Sequence, residues 1–548
     1  MNGRYLSAYE PDDVTMVRLL ERRAARAGDT VFYTWADTAE TVGAFNARVN
    51  RMARNLDRLG VSAGTHVAVI MNTSPDYLAL WFAIAKLGAV EIPINSAYHG
   101  DLLIHQLATS RATAVVVDSD YAQRVDALAD QMPGVDHVVV RGSYRPSDAR
   151  ISWSDFTALT LPNDESDLGR DVPCDSIAGV IFTSGTTGPS KGVLLSHHYL
   201  AAYGLMYAEV NRLGSDDVIF NFLPFFHIGA KFLTLAALAM DVQMRLAPRL
   251  SVSTFWAECR QYGVTNFIAV GGICNMLLAQ PPRHDDAATR LRTVYAVPDP
   301  ADIHAEFETR FGCRMTTVYG STEVGLPITR GPDDDYRPGS CGRVSQYYEV
   351  VILDEHDNAV PSGTVGQIAV RPRRPFMLGS GYIGTPERTV ESWRNLWLHT
   401  GDTGRIDADG WCWFEDRASD SMRRRGENIS SQEVENLAIK HPAVAEAAAV
   451  AVASSLGEDE VWLLVTLRDG FKLEYTDLLA HCARTMPYFM IPRYFEIVTD
   501  FPRTPTAKVE KYRLRAAGPG PGVWDRESEG WMLRRGKLVH DRPSAIAR

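Results

Sequence analysis

Between residues 40 and 115 the hydrophobic positions switch between two spacings. ETVGAFNARVNRMARNLDRLG sets its apolar residues three and four apart and stops at Gly60, which predicts an amphipathic helix. VAVIMN is apolar in one short run, as a buried strand is, and DYLALWFAIAKLGAV predicts a second helix. TAVVVDS repeats the strand pattern. Strand and helix in alternation predict a parallel α/β sheet. The rhythm returns in VIFNFLP, VTNFIAV and RLRTVYAV, after the Gly/Thr-rich loop at 183–192. From about 340 to 415 the pattern shortens to strands and turns (EVVILDEHDNAV, GQIAVRP, GWCWFED), predicting a smaller β-rich subdomain.

The polar, basic stretch RASDSMRRRGENIS at 417–430 interrupts this texture, and a mix of helix and strand restarts after it in EVENLAIKHP, VAEAAAVAVA, EVWLLVTLR and DLLAHCARTM. A chain of 548 residues is too long for one core. The expected fold is α/β: a large N-terminal domain over 1–418, a small α+β C-terminal domain over 419–515, and a tail over 516–548. The tail follows GPGPG at 518–522 and is either a docked cap or a disordered segment.

Composition narrows the partners. The formal charge is −11, with acidic residues spread along the chain, whereas nucleic-acid binding calls for clustered Lys and Arg. Seven scattered cysteines without C-x-x-C pairs indicate neither a disulfide framework nor a zinc site. The most apolar stretch, YLALWFAIAKLGAVEIPI, carries Lys86 and Glu91 and is broken by Gly88 and Pro93, so no membrane span is expected. MNGRYLSAYEPDD lacks the apolar core of a signal peptide, and a reducing cytoplasm is the expected location.

The loop TSGTTGPSKG spans 183–192, with Val180-Ile181-Phe182 before it and Val193-Leu194-Leu195 after it, both read as buried strands. It is not a Walker A loop, because Ser190 replaces the Gly before Lys191 and Gly192 replaces the hydroxyl after it. Its small residues still let backbone N–H groups converge on an anion, with Thr and Ser hydroxyls and Lys191 as further donors.

Four further stretches follow in order: YGSTEVG at 319–325, LHTGD at 398–402, DRASDSMRRRGENIS at 416–430 and RTPTAKVEK at 503–511. With the loop, these resemble the motifs of the adenylate-forming superfamily of acyl-CoA synthetases, luciferases and peptide-synthetase adenylation domains, most of all bacterial carnitine/crotonobetaine-like CoA ligases. The resemblance covers about residues 40 to 515 and implies activation of a carboxylic acid by Mg-ATP as an acyl-adenylate, followed by transfer to a thiol, usually that of coenzyme A. It implies that Thr183, Ser184, Gly185, Thr186, Thr187, Gly188 and Lys191 hold the β- and γ-phosphates, with Thr183 also near the magnesium. Tyr319 then stacks on adenine beside Gly320 and Ser321, Thr322 lies near the α-phosphate, and Glu323 is the magnesium ligand, a hard oxygen donor for a hard cation. Asp402 and Arg417 contact the ribose, Lys508 bridges the substrate carboxylate and α-phosphate, and Gly426 and Glu427 belong to the loop that forms the thiol tunnel. The chain departs from the family at Tyr295-Ala296-Val297-Pro298, where a Gly-Gly-Ala-type loop is usual, at Ser419 in the hinge position, at Arg423-Arg424-Arg425 and at Ala507.

NFLPFFHIGAKFLTLAALAM at 221–240 matches the stretch that opens the acyl pocket. His227 is expected where carboxylate and thiol meet, or as a structural histidine. Lys231 lies four residues on and so on the same helical face; it either snorkels to the surface or lines the pocket and pairs with a polar substrate group. Gly271, Gly272, Val297 and Gly325 complete the expected pocket, which suits a short, aromatic or polar acid. The alternatives are another acceptor or acid, such as a carrier-protein thiol or the nitrite of ATP-dependent diazotases, and a non-catalytic ATP-binding protein. A monomer or homodimer is expected.

Overall fold

The computed structural model describes residues 6–147, 150–183, 190–417, 421–454, 457–502 and 509–541. The chain divides into two compact units: Met1–Ser96, Leu103–Phe182 and Gly192–Asp416 form the first, and Ala97–Leu102, Thr183–Lys191 and Arg417–Arg548 the second.

The larger sheet of the first unit begins with an all-parallel run. Val31–Trp35, Gln243–Leu246, Val218–Asn221, Asn266–Val270, Thr293–Val297 and Arg314–Ser321 lie side by side in that spatial order. The helices His197–Val210 and Ile228–Met240 are buried almost all round, as their unbroken apolar sequences require. Gly204 sets how closely they approach, since a Cβ there would lie 2.8 Å from the Leu235 Cβ and from the Ala236 nitrogen.

The chain turns after Ser321, and Gly325–Arg330 returns antiparallel to Arg314–Ser321. From there Ser340–Val344, Trp411–Arg417, Trp397–Ile406, Gly366–Pro372 and Tyr348–Leu353 continue the same sheet. The β-rich stretch is therefore a hydrogen-bonded extension of the large sheet. Short turns suffice to add antiparallel strands, and the edge of the parallel run offers them unpaired backbone groups.

A second sheet orders Ser152–Asp155, His137–Arg141, Ala114–Asp118, His66–Ile70, Val90–Pro93, Ile177–Thr183 and Lys191–Ser196. The two charges that break the apolar stretch near 77–94 are buried in this region. Lys86 is 2% exposed and meets Glu21 at 2.7 Å and the Asn50 side-chain oxygen at 2.7 Å; Glu91 is 1% exposed and meets Lys231 at 2.5 Å. Among the described residues no helix is long and apolar enough to cross a membrane.

The second unit is built on the sheet Val444–Ala453, Asp459–Leu467, Tyr494–Ile497, Trp524–Asp525. Its fourth strand comes from the tail, so the tail docks over the residues described there. Trp524 stacks on Tyr475 at 5.5 Å, and the fully buried Arg526 donates to the carbonyls of Pro492 and Trp531. Trp531–Arg534 and Lys537–His540 then form a hairpin whose Trp531, Leu533 and Leu538 pack on the unit's core.

Candidate active site

In an open α/β sheet, ligands bind outside the carboxyl ends of the parallel strands. Four stretches singled out from the sequence meet at that edge of the first unit. His227 follows Val218–Asn221 and caps the helix Ile228–Met240; Gly271 and Gly272 follow Asn266–Val270; Val297 ends Thr293–Val297; and Tyr319, Gly320 and Ser321 end Arg314–Ser321. The paired strands Asn266–Val270 and Thr293–Val297 end in register, and the Gly271 N–H donates to the Val297 carbonyl at 3.0 Å. Gly271 sits at φ +57, in the left-handed region that favours glycine.

The departure at 295–298 divides into two roles. Tyr295 is a core residue, 1% exposed and edge-on to Tyr207, while Val297 stays half-buried at the edge. Beyond Pro298, the Asp299 side chain, 3% exposed, accepts from Arg330 at 2.7 Å and meets His304 at 2.9 Å. This ties the loop to the antiparallel half of the sheet.

The turn after Ser321 is tightly built. A Cβ on Gly320 would lie 2.1 Å from the Gly325 carbonyl oxygen, and one on Gly325, at φ +69, would lie 2.6 Å from the Tyr348 hydroxyl. Only glycine fits at either place. The turn presents Glu323: Ser321 Oγ donates to its carboxylate at 2.9 Å, the Tyr382 hydroxyl stands 3.5 Å from the other oxygen, and the Gly379 N–H holds its backbone carbonyl at 2.8 Å. Tyr199 donates to the Thr322 carbonyl at 2.8 Å. Burial is the main cause that pushes the Tyr199 and Tyr382 phenols up, so both remain neutral donors at neutral pH.

Asp402 arrives from the antiparallel half. It follows Gly401, at φ +77, and is 8% exposed. The Tyr319 hydroxyl donates to its Oδ2 at 2.8 Å, and the Tyr319 ring lies nearly parallel to that of Phe414 at 6.2 Å. One hydrogen bond thus joins residues 83 apart in sequence.

Glu323 stands without the company a bound metal usually has: no group of three or more potential metal ligands occurs among the described residues. A single carboxylate suits a cation such as Mg²⁺ that takes its remaining oxygens from phosphates and water.

Lys231 does not snorkel to the surface. It is 1% exposed, its ammonium lies 2.5 Å from the Glu91 carboxylate, and it sits 4.3 Å from the Trp81 ring centre. Burial pushes the Glu91 carboxyl up and the Lys231 ammonium down, and each partner's charge pulls the other back. The helical face shared with His227 points this side chain inward, where Glu91 already meets its charge.

In the second unit, Thr183 ends Ile177–Thr183 and Lys191 opens Lys191–Ser196; Ser184, Gly185, Thr186, Thr187 and Gly188 lie outside the described residues, as do Ser419 and Lys508. The Ser190 N–H donates to the Glu433 carboxylate at 3.0 Å. Glu433 lies in the first turn of the helix Ser431–Ala438, capped by Ser430. Arg417 ends the strand Trp411–Arg417. Arg425 and Gly426 form the two-residue turn between Ser421–Arg424 and Glu427–Ser430, at φ +56 and +79, and both N–H groups donate to Glu458. The helix that follows Lys508 is anchored by Lys511, which meets Glu435 at 2.7 Å and Ser431 at 2.9 Å.

A family model described as AMP-binding enzyme matches residues 20–383, and one described as AMP-binding enzyme C-terminal domain matches residues 433–508. The chain belongs to the AMP-binding enzyme family. Among curated relatives, the crotonobetaine/carnitine–CoA ligases of Salmonella typhimurium and Escherichia coli are 30% identical over 477 residues, covering 86% of this chain and 92% of theirs. Two solved structures share the fold. The o-succinylbenzoate CoA synthetase of Bacillus subtilis matches with a TM-score of 0.80 at 22% identity, covering 91% of this chain and 98% of its own. The amide bond synthetase of Marinactinospora thermotolerans matches with a TM-score of 0.80 at 24% identity, covering 92% and 99%.

For this AMP-binding enzyme the motifs missed several neighbours of Glu323 and Tyr319. Tyr199, Tyr382, Gly379 and Phe414 all lie outside the five motifs. Only Tyr199 left a sequence signal, as the first of Tyr199, Tyr203 and Tyr207 spaced four apart on one helical face.

Proposed function

We propose that the protein activates a small carboxylic acid with Mg-ATP as an acyl-adenylate and passes the acyl group to the thiol of coenzyme A. The observation that carries this reading is the convergence of Tyr319, Asp402 and Glu323 at the carboxyl edge of the parallel strands. The kinship with CoA ligases at 30% identity supports the acceptor.

In this reading the Thr183–Lys191 loop would hold the phosphates of ATP, and Glu323 and Thr183 would hold Mg²⁺, which would supply neutralisation of the phosphate charge. Ser321 and Tyr382 orient the Glu323 carboxylate, so its oxygens are aimed before any cation arrives. Asp402, fixed by Tyr319, would accept from the ribose hydroxyls while Arg417 would donate to the ribose, and the Tyr319 ring would back the adenine. Thr322 lies at the α-phosphate. Lys508 stabilises the negative charge that develops on carboxylate and α-phosphate, and Gly426 and Glu427 serve the thiol step.

His227, Gly271, Gly272, Val297 and Gly325 are the proposed lining of the acid pocket. Lys231 enters through Glu91 and the position of its helix, because its ammonium is already matched. That removes one reason for a charged second group on the acid and favours a short acid with an aromatic or uncharged polar body.

The test is incubation with Mg-ATP and a panel of acids, with and without coenzyme A, followed by mass identification of AMP and adducts. A thioester that forms only with coenzyme A supports the reading. Acid-dependent AMP with no thioester overturns its second half, and absence of acid-dependent AMP overturns the whole.

A further inference from the structure

The second unit pairs several of its cations with carboxylates. Arg424 pairs with Glu460 at 2.7 Å, Arg493 with Asp525 at 3.0 Å, and Arg534 with Asp541. Among its exposed cations, Arg425, Arg535 and Lys537 make no ion pair with any described residue. The two turns that carry them meet at one aromatic ring. The Arg425 guanidinium lies 5.9 Å from the centre of the Tyr488 ring, and a Cβ on Gly536 would sit 3.7 Å from the same ring. Gly536 is the tip of the tail hairpin, flanked by Arg535 and Lys537, and its turn takes φ +51 and +77.

Two turns of the same left-handed kind therefore meet over Tyr488, one from residues 425–426 and one from 535–536. Glu458 accepts the N–H groups of Arg425 and Gly426 and so fixes the shape of the first turn, leaving the Arg425 guanidinium without an ion pair. The hairpin itself lies wholly beyond residue 508, where the match to the family's C-terminal domain ends. A protein of charge −11 thus carries three exposed cations without ion pairs on two adjoining turns, one of them the Gly426 turn. Left so, they attract a compact, multiply charged anion.

We propose that Arg535 and Lys537 of the tail hairpin, together with Arg425, bind the phosphates of the thiol donor coenzyme A, whose diphosphate and 3′-phosphate match a fork of exposed cations. This rests on the acceptor assigned under Proposed function. The hairpin then sets affinity for the nucleotide end of the acceptor and leaves the thiol end to the Gly426 turn.

The experiment uses the full chain with Arg535→Asn and Lys537→Gln combined, with asparagine chosen because it tolerates the left-handed φ of position 535. KM is measured for coenzyme A, dephospho-coenzyme A and pantetheine at two salt concentrations. The expected result is a rise in KM for coenzyme A on the order of tenfold, a smaller rise for dephospho-coenzyme A and none for pantetheine, with the KM of the variant less dependent on salt. An unchanged KM for coenzyme A, or an equal rise for coenzyme A and pantetheine, overturns the hairpin site while the acceptor assignment stands. If the unaltered protein makes no thioester from coenzyme A, or prefers an acidic carrier protein over it, the acceptor assignment falls and the hairpin site with it. Acid-dependent pyrophosphate release without any thiol, measured on the variant, shows that it is folded.

Discussion

In the first unit Lys231 is closed by one carboxylate, Glu91, with both side chains 1% exposed. In the second unit Arg424 is nearly as deep at 2% exposed, but it donates to the carbonyls of Phe489 and Ile491, and its carboxylate partner Glu460 keeps 17% exposure. The two arrangements follow from the ions. An ammonium is a strongly hydrated point charge and needs a full countercharge when buried, whereas a guanidinium spreads its charge over five donors that backbone carbonyls can satisfy. The first unit uses such pairs to fix elements around a sheet edge. The second uses guanidinium groups to tie its tail down and leaves other cations outside.

The largest effect expected from breaking this comparison is on stability. Lys231→Met leaves Glu91 buried and alone, which costs about 3–5 kcal/mol, while adding Glu91→Leu restores much of it. Denaturant midpoints of both single variants and the double variant check this; losses that simply add would show that the pair acts as two independent side chains.

The proposed reacting groups come next. Lys508→Ala is expected to slow adenylate formation on the order of 10²–10³, roughly 3–4 kcal/mol, yet still convert supplied acyl-AMP and coenzyme A to thioester. Equal loss of both steps would contradict a lysine that serves only the first. Glu323→Gln should likewise impair the ATP step, with full-length folded protein by circular dichroism; near-normal rates at saturating Mg²⁺ would remove Glu323 from the metal site.

His197 sharpens the rule that the first unit buries charge only with a partner. It is fully buried, neither ring nitrogen meets a hydrogen-bond partner, and burial lowers its pKa from 6.5 to about 4. A base with a depressed folded pKa takes up protons first in the unfolded chain. Stability from this group is thus intact above pH 6.5 and is lost as pH falls toward 4, by up to roughly 3 kcal/mol. His197→Leu should flatten that part of the acid unfolding curve; an unchanged slope between pH 6.5 and 4 would show that other groups govern it.

The smallest effect on stability belongs to the turn at residues 425–426. Gly426 sits at φ +79 with nothing within 4 Å of an added Cβ, so Gly426→Leu strains the backbone by only about 1–2 kcal/mol without a clash. Thioester formation is expected to fail while adenylate accumulates. Retention of both steps would separate this turn from the thiol.

The sequence by itself determined the parallel α/β rhythm and the strands that precede His227 and Gly271, because strands buried on both faces must read as continuous apolar runs. The five motifs, with the family they resemble, also marked Glu323 and Asp402 as candidates. Only the tertiary structure decided how these residues are supported. The hydrogen bond from Tyr319 to Asp402 spans two halves of one sheet, and no local spacing encodes it. Lys86, Glu91 and Lys231 stand in the sequence as isolated charges in apolar runs; their partners lie on distant elements, so burial was visible only once the chain had closed on them. The tail was undecided for the same reason. Its Trp524 and Arg526 are held by Tyr475, Pro492 and Trp531, and docking is a property of those surfaces together. Periodicity reports which face of an element is buried; which countercharge or ring meets that face is set by contacts between residues far apart in the chain.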